Sequence, residues 1–116
     1  MLATDAPLLP IQCQRLARRA TTGLAWVGGI GSNGSGDLFI AFSTANHIGP
    51  NEKITNVCML APSAMTNLFR AAAEATEEAI LNALCMAETM AGKNGRTVYA
   101  LPLDRLEHVM RRYRPG

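Results

Sequence analysis

Ser35 and Asp37 are the two residues whose types and spacing point most directly to chemistry. Side chains two positions apart in an extended chain point to the same side, so this hydroxyl and this carboxylate can share a hydrogen bond. A hydroxyl that donates to a carboxylate becomes a better acceptor for the next donor, and such a relay can orient and polarise a nucleophile. The alternative is an aspartate that only caps its own turn, and the spacing alone leaves both interpretations open.

The pair lies in a glycine-rich segment, residues 28–37, which contains five of the ten glycines of the chain. A backbone with so few side chains can bring the polar residues Ser32 and Asn33 close to a reacting centre. Residues 29–34 match the nucleotide-binding pattern G-x-G-x-x-G, but that motif must follow a strand and open a helix. Here it follows a predicted helix and opens a predicted strand, so we expect no nucleotide cofactor. A tight helix-to-strand connection is the purely structural alternative.

Histidine-based and metal-based chemistry have little support in the sequence. The two histidines, His47 and His108, are far apart and have no partners at metal-ligand spacing. A Ser-His-Asp triad would have to combine Ser43 or Ser35 with His47 and Asp37, and no nucleophile-elbow motif accompanies them. We therefore expect neither a triad, nor a bound metal, nor any other cofactor.

Composition limits the class of protein further. The 116 residues, 48% apolar and 17% charged, predict a single domain over residues 1–116. The net charge of +2 is too small to indicate a nucleic-acid partner. No apolar run approaches the roughly 20 residues that span a bilayer, so no membrane association is expected. The three cysteines lack a Cys-x-x-Cys pattern and the N-terminus lacks a signal-peptide pattern, so a cytoplasmic protein is expected.

Apolar spacing and local signals indicate which elements position the pair, and they predict an α/β fold. Asp5 as N-cap and Pro7 in the first turn open the first predicted helix, and Gly28 ends it. The apolar run 38–42 is typical of a strand covered on both faces, and Pro102 opens the last helix. The predicted elements are helices over about residues 7–27, 62–91 and 102–113 and a buried strand over about 37–44.

Six segments taken together, in this order, resemble one family. They are Ala3–Pro10 (ATDAPLLP), Gln14–Ala20 (QRLARRA), Ser32–Asp37 (SNGSGD), Ala41–Asn46 (AFSTAN), Ala75–Leu84 (ATEEAILNAL) and Ala100–Leu106 (ALPLDRL). The chain is similar to the C-terminal portion of the self-cleaving serine aminopeptidases, which include L-aminopeptidase/D-esterase and the β-peptidyl aminopeptidases. The resemblance extends over nearly the whole chain.

The resemblance implies a four-layer αββα fold like that of N-terminal-nucleophile hydrolases. It implies a precursor that cleaves itself before a serine, which becomes the nucleophile toward a small peptide or amide substrate, without a metal or cofactor. The family's Ser-Gly-Asp element corresponds to Ser35 and Asp37, with Ser32, Asn33, Gly34 and Gly36 as the supporting loop. The implied partners are the N-terminal (α) chain of the same precursor and further copies in a homo-oligomer.

The sequence departs from the family at its reactive end. In the family the nucleophilic serine opens a short strand that runs into the Ala-Thr-Asp-Ala-Pro segment, so it should lie a few residues before Met1. Met1 and Leu2 cannot do this chemistry, and we expect the 116 residues alone to be inactive. The alternative is a non-catalytic, truncated fragment or assembly domain that self-associates through exposed apolar faces.

Overall fold

The structure of residues 1–113, a computed structural model, contains four helices and four short strands within that range. In chain order the elements are β1 (Leu2–Thr4), α1 (Pro10–Ala17), α2 (Ala20–Trp26), β2 (Ala41–Ser43), α3 (Met65–Met86), β3 (Met90–Ala91), β4 (Thr97–Val98) and α4 (Leu103–Tyr113). The chain divides into two compact units, Met1–Glu78 and Ala79–Gly116, of which the second is described to residue 113. None of the helices within the described range is both long and apolar enough to cross a membrane.

The first unit contains a parallel pair of strands, β1 and β2. Leu2 lies opposite Ala41 and Thr4 opposite Ser43. Two flanking bonds extend the pairing, from Leu2 N to Ile40 O at 2.8 Å and from Thr44 N to Thr4 O at 2.9 Å. Because the strands are parallel, their N-terminal ends lie at the same end of the pair.

The core of this unit lies where α1 and α3 pack together. Its buried members are Leu8, Leu16, Met65 and Ala72. Seven partly buried apolar residues surround them: Leu2, Ala6, Cys13, Ala41, Leu60, Leu68 and Phe69. The apolar spacing that predicts the helix over residues 62–91 therefore points the N-terminal half of α3 into the core, as an amphipathic helix requires.

The predicted helix over residues 7–27 is wrong in two respects. It begins at Pro10 rather than near Pro7, because a proline keeps the residue before it extended, and Leu9 has φ −77° and ψ 159°. Asp5 therefore caps no helix. The chain also turns at Arg18–Arg19, where Arg19 N bonds Leu16 O at 2.9 Å, three residues back, and the helix divides into α1 and α2. As predicted, the helical region ends before Gly28.

The predicted helix over residues 62–91 ends too late. A 3₁₀ turn at Pro62–Ala64 leads into α3, which ends at Met86. In the second unit β3 then pairs antiparallel with β4. Asn94 and Gly95 between them have φ of +62° and +71°, and Asn-Gly favours such a tight hairpin turn, which takes Met90 and Ala91 into a strand. The last helix, predicted over 102–113, is confirmed as α4.

The prediction of a buried strand over residues 37–44 is also wrong, because the observed strand is shorter and more exposed. Only Ala41–Ser43 is a strand, and Leu38 and Phe42 are 87% and 44% exposed. The apolar run is typical of a strand with neighbours on both faces. Within residues 1–113, β1 pairs with it along one edge and α1 packs against it. That single partner strand and helix leave much of the run uncovered.

Candidate functional site

Residues 28–40 connect α2 to β2 and carry the predicted pair. Ser35 N bonds Ser32 O at 2.8 Å, which closes a turn centred on Asn33 and Gly34. After this turn the Ser35 hydroxyl donates to Asp37 Oδ2. The hydrogen bond predicted from the spacing is therefore present. The carboxylate accepts from a side-chain hydroxyl, as a relay requires.

The supporting residues contribute through the backbone rather than through their side chains. Ser32 supplies the carbonyl that closes the turn, and Asn33 lies at its centre with an exposed side chain. A Cβ added to Gly34 or Gly36 would meet no atom within 4 Å, so space beside the pair is open. Ser35 and Asp37 are themselves exposed, and a reacting group can approach them from that side.

The strand pairing places the pair at one end of β1. Leu2 N bonds Ile40 O, and Asp37 precedes Ile40 by three positions. The N-terminal end of β1 and the segment that carries Ser35 and Asp37 therefore lie at the same end of the β1–β2 pair.

The residues of the rejected triad are not brought together. The Ser43 hydroxyl donates to Ala6 O at 2.6 Å and accepts from Ala45 N at 3.2 Å, so it is used by the backbone. His47 is exposed in the loop after β2. Among residues 1–113 no group of three or more histidine, cysteine, aspartate or glutamate side chains could hold a metal ion.

Sequence reasoning missed the backbone-bonding role of three polar side chains in the first unit, Gln12, Ser43 and Asn46. Gln12 is 3% exposed, and its Nε2 donates to Leu60 O at 2.7 Å while its Oε1 accepts from Leu9 N at 3.0 Å. Ser43 and Asn46 likewise bond backbone groups far from them in the sequence. Their only sequence signal was that Ser43 and Asn46 belong to the AFSTAN segment, since isolated polar residues do not reveal distant backbone partners.

An apolar groove of about 700 Å³ lies between α1 and the chain around β2. We call it the β2 groove, and its main apolar lining residues are Leu9, Cys13, Phe39, Phe42, Ile48 and Val57. It begins two residues after Asp37, with Phe39. Ile48 and Phe42 are 66% and 44% exposed, so the groove is a substantial uncovered apolar surface of the first unit.

The sequence and the fold both match known aminopeptidases. The model of peptidase family S58 matches residues 1–98 of this chain. A beta-peptidyl aminopeptidase of Sphingosinicella microcystinivorans is 47% identical over 118 aligned residues, which cover 98% of this chain. A solved beta-aminopeptidase from a Burkholderia species has 43% identity and a TM-score of 0.82 over 94% of this chain.

A second similar solved structure identifies the fold class. It is the L-aminopeptidase D-Ala-esterase/amidase of Ochrobactrum anthropi, described as a prototype for the serine aminopeptidases and a new variant among the Ntn hydrolase fold. It has 40% identity and a TM-score of 0.87 over 94% of this chain. This chain spans 31% of that structure, 33% of the Burkholderia structure and 29% of the Sphingosinicella protein. The resemblance and the α/β, Ntn-hydrolase-like fold class predicted from the sequence are confirmed.

Proposed function

Because the chain belongs to peptidase family S58, a family of aminopeptidases, we propose that it forms the C-terminal portion of a serine aminopeptidase. The whole enzyme would remove N-terminal residues from short peptides, amides or esters by acyl transfer. The observation that carries the proposal is the hydrogen-bonded pair of Ser35 and Asp37 at the N-terminal end of β1.

The nucleophile in this proposal is a serine that precedes Met1 in a longer precursor. The β1–β2 pairing sets Leu2 opposite Ala41. When the same register is continued upstream, the third residue before Met1 lies opposite Asp37 and the fifth lies opposite Ser35. A serine there would lie beside the pair. Cleavage of the precursor before that serine would free its α-amine, which can act as a base without any histidine.

The chemistry assigned to the pair follows from its hydrogen bond. The Ser35 hydroxyl donates a hydrogen bond to Asp37. The lone pairs of Ser35 Oγ therefore remain free to accept a hydrogen bond from the nucleophilic hydroxyl. The nucleophile attacks the substrate carbonyl, an ester forms and the amine leaves with a proton. Water then cleaves the ester and regenerates the hydroxyl. Asp37 makes Ser35 a better acceptor throughout these steps.

The partner in this proposal is the N-terminal portion of the same precursor. The β2 groove supports it, because its apolar lining is left uncovered in the first unit, with Ile48 66% and Phe42 44% exposed. The second candidate function, a non-catalytic assembly domain, draws on the same groove. In that case the isolated chain would associate with itself in sedimentation, and a chain extended upstream of Met1 would show no turnover.

The test uses the chain together with the residues that precede Met1 in its gene, assayed with alanine p-nitroanilide. We expect turnover in this extended chain and none in the 116 residues alone. Ser35→Ala and Asp37→Asn should each lower kcat by about 100-fold, the lower range for a proton-transfer group. Ser63→Ala, at an exposed serine far along the chain, is the matched control. Turnover by the 116 residues that survives Ser35→Ala would overturn the proposal.

A further inference from the structure

The segment that follows β1, residues 6–9, is bonded at four successive positions, three times by groups distant in the sequence and once by Gln12 at the start of α1. The Ser43 hydroxyl bonds Ala6 O, Leu60 N bonds Pro7 O, Asn46 Nδ2 bonds Leu8 O, and Gln12 Oε1 bonds Leu9 N. Three of these four groups are side chains. The segment therefore has its position set by particular residues rather than by regular secondary structure alone.

Asn46 makes the most extensive of these connections. Its Oδ1 accepts from Cys58 N at 2.9 Å and its Nδ2 donates to Cys58 O at 3.0 Å, so its amide pairs with one residue as a strand neighbour would. The same Nδ2 lies 3.4 Å from Leu8 O. Asn46 thus ties the loop after β2 to the segment that follows β1.

Ser43 makes the second connection from within β2 itself. Its hydroxyl donates to Ala6 O at 2.6 Å, while Thr44 N bonds Thr4 O at 2.9 Å beside it. A parallel pair of three-residue strands has few bonds of its own to resist a slip. A slip by one residue would move β1 by about 3.3 Å and turn its side chains to the opposite face.

We infer that Asn46, together with Ser43, is a positioning residue that holds β1 in register and so sets the upstream nucleophile against Ser35 and Asp37. This inference rests on the proposed function. Both side chains would act through the segment that follows β1, to which they bond, and not directly on the substrate. A displacement of about 1 Å at a reacting group can lower a rate by about 100-fold, so register must be maintained for turnover.

The first experiment measures amide hydrogen exchange in the 116-residue chain. Thr44 N and Leu2 N report the register, because they bond Thr4 O and Ile40 O, and the amides of Ala72 and Ala73 report the core. Asn46→Ala should lower protection at Thr44 and Leu2 at least tenfold and leave the α3 amides unchanged. Asn56→Ala, at an exposed asparagine, is the matched control. Unchanged protection at Thr44 and Leu2, or equal loss in α3, would overturn the inference.

The second experiment measures kcat and KM in the extended chain. Asn46→Ala and Ser43→Ala should lower kcat at least tenfold with little change in KM, whereas Ser43→Thr, which keeps the hydroxyl, should restore most of kcat. An active extended chain whose kcat is unaffected by Asn46→Ala would overturn the positioning role and leave the proposed function standing. No turnover in the unsubstituted extended chain would overturn the proposed function, and this role with it.

Discussion

Gly23 of α2 lies directly against the carbonyl oxygen of Ala73 in α3. A Cβ built on this glycine would be 2.2 Å from that oxygen and 2.8 Å from Thr76 Cβ. Atoms cannot approach so closely, and the oxygen belongs to the backbone of Ala73, a buried residue within a helix, so it cannot move aside cheaply. The two helices can therefore pack at this distance only because residue 23 has no side chain.

Gly23→Ala should destabilise the chain. Helix propensity alone would favour alanine by about 1 kcal/mol. Overpacking against backbone costs about 1–3 kcal/mol. Because the Cβ would be only 2.2 Å from the oxygen, we expect a cost in the upper part of that range, which exceeds the gain in helix propensity. Urea unfolding measures the difference, with Gly34→Ala as the control because a Cβ there meets no atom within 4 Å. Equal unfolding midpoints for the two variants would contradict the close approach of α2 and α3.

Gln12→Leu should lower the free energy of unfolding by about 1–3 kcal/mol, because it leaves two partly buried backbone groups without partners. The side chain bonds both Leu60 O and Leu9 N and is almost fully buried. Gln14→Leu, on an exposed position of the same helix, changes residue type equally and should have little effect. A difference below about 0.5 kcal/mol between them would contradict the role assigned to Gln12.

Arg19 and Phe69 should show a measurable coupling. The Arg19 guanidinium carbon lies 4.5 Å from the centre of the Phe69 ring, and that of Arg15 lies at 5.2 Å. A cation over an aromatic face at an exposed site stabilises by about 0.5–1 kcal/mol. A double-mutant cycle of Arg19→Met and Phe69→Leu should give a coupling energy in this range. The same cycle with Arg18→Met should give none, and equal couplings would contradict the specific contact.

Gly28→Ala should destabilise the chain for a conformational reason alone. Gly28 has φ +94° just after α2, and a Cβ there would meet no atom within 4 Å. Left-handed backbone costs a residue with a Cβ about 1–2 kcal/mol. Gly36→Ala, where the space is also open and φ is not left-handed, is the control and should be neutral or slightly stabilising. Thermal unfolding that ranks the two variants the other way would contradict this explanation.

The local parts of the site could be predicted from the sequence. Ser35 and Asp37 are two positions apart, and their hydrogen bond depends on little beyond an extended chain after a turn. The turn at Asn94-Gly95 has a local signal as well, but the helix predicted up to residue 91 runs past Met86 into the first strand of this hairpin. The turn signal and the helical periodicity predict different structures for residues 87–91, and the structure has the hairpin strand there, at Met90–Ala91.

The non-local parts could not be predicted in the same way. Asn46 and Cys58 are 12 positions apart, and Gln12 and Leu60 are 48 positions apart. Nothing in the residue types indicates that these groups meet, because an asparagine or glutamine amide can pair with any backbone group that the fold brings near. The break at Arg18–Arg19 likewise has no local signal, and the Gly23 contact with Ala73 in α3 that follows it is distant in the sequence.

The parallel pairing of β1 with β2 also has a kinetic consequence. Leu2 and Ala41 are 39 positions apart, and closing a chain of that length costs about 3 kcal/mol of entropy. The few hydrogen bonds of three-residue strands, worth about 1 kcal/mol each, must offset both this cost and the backbone entropy of the residues that they fix, so the pair is not stable by itself. We therefore expect the pair to form after the helices have packed and to open early during unfolding. The end of the unit at which Ser35 and Asp37 lie is thus expected to be the last part of it to order.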